Sequence, residues 1–460
     1  MNADRQKNLL ASLYDRLLDA VSYSPEGKGA PWRKDEIYFQ MGKNLVLDPK
    51  DFANMLSPSN PNGDMRSASV FSAMVDALPT TSPLWVDSGK KVSNVYAAIV
   101  NGANTVTKIS EEQKGIYEAA YKFLNTETET KDFKGKVKKK TDPSDIAIAY
   151  DDAQAAYITA VGGYRNSYNG YNLDVIKDQR AWNAVAPGLQ LTLNQAWNQW
   201  NRAGKTEVEE AQNALKSSIN NAIRYVIAES QRLISDEHKF AGVAGEGDWL
   251  PSYALPTSWA LESSKASKLT FKSEYLNKTE SSFAQKYAAE ASGSWGLWHA
   301  SGGVSGGKEE KKSNMKAENL TLDAELISVS IKRPWFNPLL FSMLDWFAQG
   351  VGKDGISNAN LTDLKGSMPL VPTGFVVARN VKITADFSEE DKQFVSSSIS
   401  TKASGGWGPF SISGSYSQSS SDSKLDTKFD GSTLQLPGLQ LIAWISAITP
   451  ASPPQAAPPK

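Results

Sequence analysis

One stretch of the sequence is present twice, at residues 291–305 and 403–417. At a constant offset of 112 residues, eight of the fifteen positions are identical, and most of these are serine, glycine or tryptophan. Trp295 and Trp407 are one of the identical pairs, and the pairs Trp298/Phe410 and Val304/Tyr416 keep their apolar character. Self-similarity at a fixed spacing marks a repeated structural unit. The sequence therefore predicts that one structural unit has been duplicated.

The second part of each copy alternates between apolar and polar residues. In the second copy, Phe410, Ile412 and Tyr416 share one side of an extended chain, and Trp298 and Val304 do so in the first. The opposite side carries the serines Ser301, Ser305, Ser411, Ser413, Ser415 and Ser417. Because successive side chains of a strand point to opposite faces, this period of two predicts strands that are apolar on one face only.

Each copy continues through a polar loop into a second stretch with strand character. These stretches begin at Leu320 and Leu434, so that the complete units cover residues 291–332 and 403–446. The order of strand, long polar loop and strand predicts two β-hairpins related by duplication. We expect both hairpins in one antiparallel sheet or sandwich.

The two predicted hairpins have the composition of strands that span a membrane. An amphipathic strand of about 9–11 residues crosses a bilayer when many copies close into a barrel, with small polar residues toward the lumen and aromatic residues at the interface. In this respect residues 291–332 and 403–446 resemble the membrane hairpins of β-pore-forming toxins, although they contain no family motif. The resemblance implies a soluble monomer that oligomerises on a lipid membrane, with the serines on the pore face. It also implies membrane or assembly contacts for Trp295, Trp298, Val304, Trp407, Phe410, Ile412 and Tyr416.

Two other interpretations of the repeat stay open. A serine face also meets water on any half-buried sheet, in which case the chain is a structural or interaction protein that self-assembles through its helices and sheet. Alternatively, the tryptophans that precede glycine, Trp295 and Trp407, stack on sugar rings, as in a carbohydrate-binding module.

The N-terminal region shows helical periodicity first and turn residues afterwards. Leucines at helical spacing predict an amphipathic helix over residues 4–21. From there to about residue 108, proline, glycine and asparagine are frequent. These turn residues predict short helices within extended connections rather than a sheet.

Helical periodicity returns in residues 109–236. Asp142-Pro143 predicts the beginning of a helix, Gly162-Gly163 predicts its end, and a further helix is expected over residues 188–203. Apolar residues in residues 206–236 follow the three-and-four spacing of a coiled-coil seam. At 1.5 Å per residue, this segment predicts a rod of about 45 Å that packs in a helical hairpin or bundle.

A charged segment lies between these helices, at residues 127–141. It contains six lysines, Lys131, Lys134, Lys136, Lys138, Lys139 and Lys140. The simplest prediction is a solvated loop. A basic loop of this kind also attracts anionic lipid, by about 1 kcal/mol for each residue near a charged surface.

The predicted fold class is α+β. It comprises a helical N-terminal region with a long coiled-coil-like helical hairpin, followed by an antiparallel β-rich, sandwich-like domain that contains the duplicated β-hairpin. The expected limits are an irregular helical region over 1–108, a helical hairpin or bundle over 109–236, a linker over 237–261, the β-rich domain over 262–449 and a proline-rich tail over 450–460.

Composition argues against several classes of function. The formal net charge of -1 lacks the basic excess of a nucleic-acid-binding protein, and the absence of cysteine excludes disulfides and thiolate-bound metals. His238 and His299 are the only histidines, so we expect no catalytic site, no metal and no cofactor. A pair of carboxylates such as Asp323 and Glu325 leaves a hydrolase open. The N-terminus has no secretory signal, so we expect synthesis in the cytoplasm and release by lysis or specialised secretion.

Overall fold

A computed structural model confirms the α+β fold class, with helices beside a large antiparallel sheet. The structure describes residues 3–22, 36–105, 111–132, 134–171, 173, 175–242, 247–273, 281–294, 297–301, 316–401, 404–413 and 425–457. The helices are α1 Ala3–Ser22, α2 Met65–Val75, α3 Val92–Gly102, α4 Glu111–Leu124, α5 Asp145–Asn169, α6 Ile176–Arg202, α7 Lys205–Ser218, α8 Ile223–Leu233, α9 Ser282–Ser294 and α10 Glu389–Thr401. The strands are β1 Ile37–Leu47, β2 Ala77–Pro79, β3 Asp87–Lys91, β4 Ala103–Asn104, β5 Asn125–Lys131, β6 Val137–Pro143, β7 Tyr253–Leu255, β8 Ser267–Lys272, β9 Trp298–Ser301, β10 Lys316–Lys332, β11 Phe347–Ala348, β12 Leu370–Asp386, β13 Ser404–Trp407, β14 Phe410–Ser413, β15 Lys428–Phe429, β16 Thr433–Leu436 and β17 Leu439–Ile448.

Two long antiparallel strands, β10 and β12, form the centre of the sheet. One half of this pair is flanked by β7 beside β10 and by β17 and β1 beside β12, which gives the order β1-β17-β12-β10-β7. The other half is flanked by β8 beside β10 and by β16 and β15 beside β12. The sheet therefore has two halves with different neighbours, and the connections that contain the repeated sequences start from strands of the second half.

Both faces of the sheet are covered. On one face, Val376, Ala378 and Ile383 pack in a cluster with α1, α9 and α10. On the other face, Phe375 and Val377 pack with α2 and with the segment that follows β7. A third cluster joins α3 to α8 with the chain between β10 and β12. These clusters hold the helical layer beside the sheet.

Some helical predictions are confirmed and others are wrong. Helix α1 agrees with the amphipathic helix predicted over residues 4–21. Helix α5 does not end at Gly162-Gly163 but continues to Asn169. Because an added methyl group at Gly162 would lie 2.8 Å from the Ser267 side chain, close packing against β8 requires this glycine within the helix.

The predicted rod over residues 206–236 is also wrong. The segment is divided into α7 and α8 by a 3-10 turn at Ile219–Asn221, although its apolar seam is buried as expected. The Ser218 hydroxyl donates to the Ala214 carbonyl at 2.6 Å, and Asn220 accepts a hydrogen bond from the Leu344 backbone at 2.9 Å. These side-chain bonds compete with the helical ladder and fix the break.

The structure corrects three predictions of irregular chain. Residues 37–47 are not a turn-rich connection but strand β1, which pairs with β17. Residues 127–141 are not a loop but most of the β5–β6 hairpin. The proline-rich tail is not free of core contacts, because Ser452 is fully buried and bonded to Ser357 at 2.9 Å.

The domain limits stay a prediction. Contacts between the predicted units are nevertheless present in the sheet. Strand β1, from the first predicted region, lies in the same sheet as β17. The predicted linker contains β7 and the fully buried Trp259. Any separation of the predicted units therefore has to break strand pairing.

Candidate functional site

Four strands lie side by side in the second half of the central sheet, in the order β8, β10, β12 and β16. Phe271 pairs with Leu322 across β8 and β10, and Ile383 pairs with Leu434 across β12 and β16. Both pairs are joined by long connections that leave and re-enter the sheet at the same end. We name them the first inserted segment, residues 273–315 between β8 and β10, and the second inserted segment, residues 387–432 between β12 and β16.

The duplication is larger than the sequence motif indicated. Each inserted segment contains a helix, α9 or α10, that is followed by a short strand within the repeated copy. At the offset of 112 residues, β9 corresponds to β14, and the second copy contains β13 in addition. The offset of 112 residues also relates Phe271 to Ile383 and Leu322 to Leu434, which are the paired residues of the flanking strands. The duplicated unit is therefore strand, helix, short strand, connection and strand.

The two copies of the motif pair with each other in a separate small sheet. Strand β13 lies in the middle, with β9 on one side and β14 on the other. Trp407 opposes Trp298 across β13 and β9, and Trp407 also opposes Phe410 across the turn to β14. The backbone N–H of Gly408 donates to the Leu297 carbonyl at 2.7 Å, which ties the turn to the first copy. The predicted order of strand, connection and strand is present in each copy, but the prediction that these two strands pair as a hairpin is wrong, because β9 and β14 both pair with β13.

Two adjacent glycines of the second copy are needed for close packing. A methyl group at Gly405 would lie 2.7 Å from the Ser398 Oγ atom of α10. A methyl group at Gly406 would overlap the ring of His299, its partner residue on β9. The Gly-Gly sequence therefore lets α10 and β9 approach the same strand from different sides.

The apolar residues of the motif are buried beneath the inserted segments. Trp407, Phe410 and Ile412 are fully buried, and Trp298 is 4% exposed. The Trp298 ring lies 5.5 Å from that of Phe394 on α10. These side chains belong to the cluster that covers the apolar face of β8, β10, β12 and β16. The described parts of the inserted segments thus bury both their own apolar residues and those of the sheet.

Helix α1 covers the inserted segments from outside. The Tyr14 ring lies 5.0 Å from Tyr287 of α9, and the Tyr14 hydroxyl donates to the Phe39 carbonyl of β1 at 2.8 Å. Burial raises the pKa of Tyr14 far above its usual value of 10.0, so this hydroxyl stays protonated. Leu13 lies next to the turn at Gly408. The N-terminal helix thus contacts both inserted segments.

One buried glutamine attaches the second inserted segment to the main sheet. Gln440 of β17 is fully buried, and its Oε1 atom accepts a hydrogen bond from the Ser411 backbone N–H at 2.8 Å. Its Nε2 atom donates to the Ser411 carbonyl at 3.1 Å. The amide therefore reproduces the pattern by which a neighbouring strand would pair with β14.

The serine face of β14 is largely covered in this structure. Ser413 is 6% exposed, and its Oγ atom accepts a hydrogen bond from the Gly405 backbone N–H at 3.1 Å. Ser411 is half-buried beside Gln440. The backbone of Ser301 pairs with Ser404. The expectation of a solvated serine face in the folded monomer is wrong for Ser413, because α10 packs against this hairpin. The remaining predicted residues Trp295, Val304, Ser305, Ser415, Tyr416 and Ser417 lie outside the described residues.

The predicted basic loop is divided into buried and exposed lysines. Lys138 and Lys140 are 5% and 8% exposed. The Lys138 Nζ atom donates to the Asp236 carbonyl at 2.8 Å, and Lys140 pairs with Asp142 at 2.9 Å. Lys131, Lys134, Lys136 and Lys139 are exposed. Two of the six lysines therefore fix the β5–β6 hairpin and are not presented to a lipid surface.

The face of the sheet opposite to the inserted segments is polar in this half. Glu325 of β10 pairs with Arg379 of β12 at 2.7 Å, and Asp323 accepts a hydrogen bond from Thr270 of β8 at 2.6 Å. The two carboxylates considered for a hydrolase thus bond to neighbouring strands. Together with the apolar face, these contacts make the four-stranded region strongly amphipathic.

Several other observations bear on function. Within the described ranges, no group of three or more histidine or acidic residues is placed to hold a metal ion. None of the helices described is long and apolar enough to cross a bilayer. Comparison with known protein families, with curated proteins and with solved structures finds no match to this chain.

Sequence reasoning missed three parts of this site. It did not find that a helix precedes each copy of the motif, although the apolar residues of β8 and β12 follow the same offset of 112. It also missed Gln440 and the contact of α1 with α9. These contacts join residues far apart in the chain, and no local pattern indicates them.

Proposed function

We propose that this chain is a pore-forming protein, made as a soluble monomer, whose two inserted segments convert into membrane-spanning β-hairpins. The observation that carries the proposal is topological. The two segments connect neighbouring strands, β8 to β10 and β12 to β16, and both leave the sheet at the same end. If each segment became extended, its two arms would simply continue the strands from which it starts.

The sequence of α10 supports such a conversion. Its residues 395–401 read V-S-S-S-I-S-T, which is rich in residues with low helix propensity and includes three β-branched residues. The Thr401 hydroxyl also donates to the Ser397 carbonyl at 2.7 Å, a contact that weakens a helix. As a strand, the same residues would place Val395, Ile399 and Thr401, with Ser397 between them, on one face and only serines on the other. Helix α10 is thus compatible with both conformations.

Helix α9 has a similar double periodicity. As a helix it buries Ala284, Tyr287 and Ala291 at helical spacing. As a strand it would place Tyr287, Ala289 and Ala291 on one face and Lys286, Glu290 and Ser292 on the other. Two strands of about 9–11 residues and a turn are enough to cross a bilayer and return, and each inserted segment is long enough for this.

The amphipathic half of the sheet supports the same proposal. Release of the inserted segments would expose an apolar face on β8, β10, β12 and β16, opposite to the polar face with Glu325 and Arg379. In hydrocarbon every backbone N–H and C=O group needs a partner, so extended hairpins are stable only in a closed barrel of several chains. The proposed partners are therefore copies of this chain and a lipid bilayer.

A label scan along α10 tests the conversion directly. Single cysteines at residues 395–401, each carrying an environment-sensitive dye, are measured before and after lipid vesicles are added. The chain contains no native cysteine, so each label is unique. In solution the emission should follow the helical period of about 3.6 residues. On vesicles it should follow a period of two, with labels at Val395 and Ile399 in an apolar environment and those at Ser396 and Ser398 in water.

Dye release from the same vesicles and imaging of the particles complete the test. Pore formation predicts release together with ring-shaped particles that appear only with lipid. A helical period that persists on vesicles, without release, would contradict the proposal. Assembly in plain buffer without lipid would favour the self-assembling structural protein instead.

A further inference from the structure

A cluster of aromatic rings lies at the end of the helical hairpin formed by α5 and α6. The Trp182 ring of α6 lies 5.4 Å from Tyr164, 5.2 Å from Tyr168 and 5.9 Å from Tyr171. Trp182 itself is 8% exposed, because the three tyrosines surround it. We name these four residues, together with Val175 and Ile176, the aromatic tip. The tip is organised around Trp182, and Tyr164 joins it to the hydrophobic cluster among the helices.

The outer surface of the aromatic tip is apolar. Ile176 is 65% exposed, Val175 45% and Tyr168 43%. Ile176 begins α6, and the Gln179 side chain donates a hydrogen bond to the Leu173 carbonyl at 2.6 Å, which ties the first turn of α6 to Leu173. Two adjacent β-branched residues are therefore exposed where α6 begins.

The direction of the projection follows from the contacts of α5. Asp151, near the beginning of α5, pairs with Lys332 at the end of β10 at 2.9 Å. Farther along, the Thr159 carbonyl accepts a hydrogen bond from Ser267 of β8 at 3.3 Å, and Ser267 pairs with Leu326 in the middle of β10. Helix α5 thus runs toward the end of the sheet at which both inserted segments leave it. The aromatic tip and the inserted segments point the same way.

We propose that the aromatic tip docks this protein on the headgroup region of a lipid bilayer. The inference rests on the proposed function, for which it names the surface that first contacts the membrane. Tyr168 is 43% exposed, and tyrosine prefers the membrane interface because its ring is apolar and its hydroxyl group is polar. Trp182 is buried and supports the tyrosines from within. Val175 and Ile176 enter the acyl boundary.

Binding of the aromatic tip to a bilayer does not require charged lipid headgroups. Lys177 and Arg180 are exposed beside it, while acidic residues at 174 and 178 balance them in the sequence. Zwitterionic lipid is therefore sufficient. A small ligand such as a sugar is normally bound in a concave pocket, whereas the exposed residues here lie on the outside of a helix-helix turn.

Flotation of the full-length protein with phosphatidylcholine vesicles tests the proposal. The double variant Val175→Ser/Ile176→Ser removes the outward aliphatic side chains. We expect its vesicle partition constant to fall at least about tenfold, because the transfer of two such side chains into an apolar phase is lost. The matched control is Val185→Ser/Leu191→Ser, which changes two residues of the same helix that are 39% and 58% exposed. It should change partition less than about twofold.

The outcomes separate the tip from the pore. Flotation measures docking and dye release measures insertion, so normal flotation and release by the tip variant would overturn the tip proposal and leave the pore proposal standing. Equal losses in both double variants would also overturn it. Binding that requires a glycan on the vesicles, and fails with phosphatidylcholine alone, would replace the lipid by a sugar as the partner of the tip. Wild-type flotation without release would contradict the pore proposal alone.

Discussion

Replacement of Gln440 by leucine should loosen the second inserted segment while the rest of the fold stays intact. Leucine is apolar and similar in volume to glutamine, so the main sheet keeps its packing. The Ser411 backbone N–H and carbonyl, however, lose the partners that lie at 2.8 and 3.1 Å. A buried backbone group without a partner costs about 1–3 kcal/mol.

Two such losses destabilise the folded-back conformation by about 2–6 kcal/mol. Since about 1.4 kcal/mol corresponds to a factor of ten, local opening of the segment should become at least about 30 times, and at most about 20,000 times, more frequent. Amide hydrogen exchange, measured by mass spectrometry on peptides that cover residues 404–413, reports this opening. If the pore proposal is correct, dye release from vesicles should also begin sooner.

Asn337→Leu provides a matched control elsewhere in the fold. Asn337 is buried, donates to the Tyr117 hydroxyl at 3.2 Å and accepts a hydrogen bond from the Leu339 backbone at 3.2 Å. Its replacement removes two comparable bonds among the helices and should leave exchange in residues 404–413 unchanged. The reasoning is refuted if Gln440→Leu leaves that exchange at the wild-type rate, or if Asn337→Leu raises it equally.

Three further predictions concern the folded monomer. Gly406→Ala should cost about 1–3 kcal/mol of unfolding free energy, because the methyl group overlaps the His299 ring; in thermal melts Gly163→Ala, with no atom within 4 Å of the new methyl group, should not destabilise. Ser413→Asp should cost at least about 2 kcal/mol by chemical denaturation, because it places a carboxylate in a site that is 6% exposed, and an unchanged midpoint would contradict the buried position. Burial, together with the Arg232 guanidinium at 3.4 Å, lowers the pKa of His238 below its usual value of 6.5. The stability that the neutral ring contributes is therefore complete above pH 6.5 and is lost as the pH falls below that value. His238→Phe should remove this part of the acid sensitivity, at most about 1.4 kcal/mol per pH unit in pH-dependent denaturation, and an unchanged slope would argue against it.

Local sequence patterns predicted those helices and strands whose buried face the pattern itself specifies. The leucine stripe of residues 4–21 became α1 because a stripe at helical spacing can be buried in one way only. The alternation of Phe410 and Ile412 with serine became β14, and both apolar residues are fully buried. The α+β class followed from such periods.

Other features depended on contacts between distant residues. Lys138 and Lys140 look like members of a solvated run, but the β5–β6 hairpin turns both inward to oxygen atoms of Asp236 and Asp142. Gly162 looks like a helix end, and only the approach of Ser267 shows why the helix needs a glycine there.

The sequence alone determined that a unit is duplicated, that its strands are apolar on one face, and that α1 is amphipathic. Only the tertiary structure decided that the two copies pair with each other, and that Ser413 is covered by α10 instead of water. It also decided that both inserted segments leave one end of the same sheet. The physical reason is that periodicity specifies which face of an element is buried, whereas the partner on that face is chosen by pairing and packing between residues far apart in the chain.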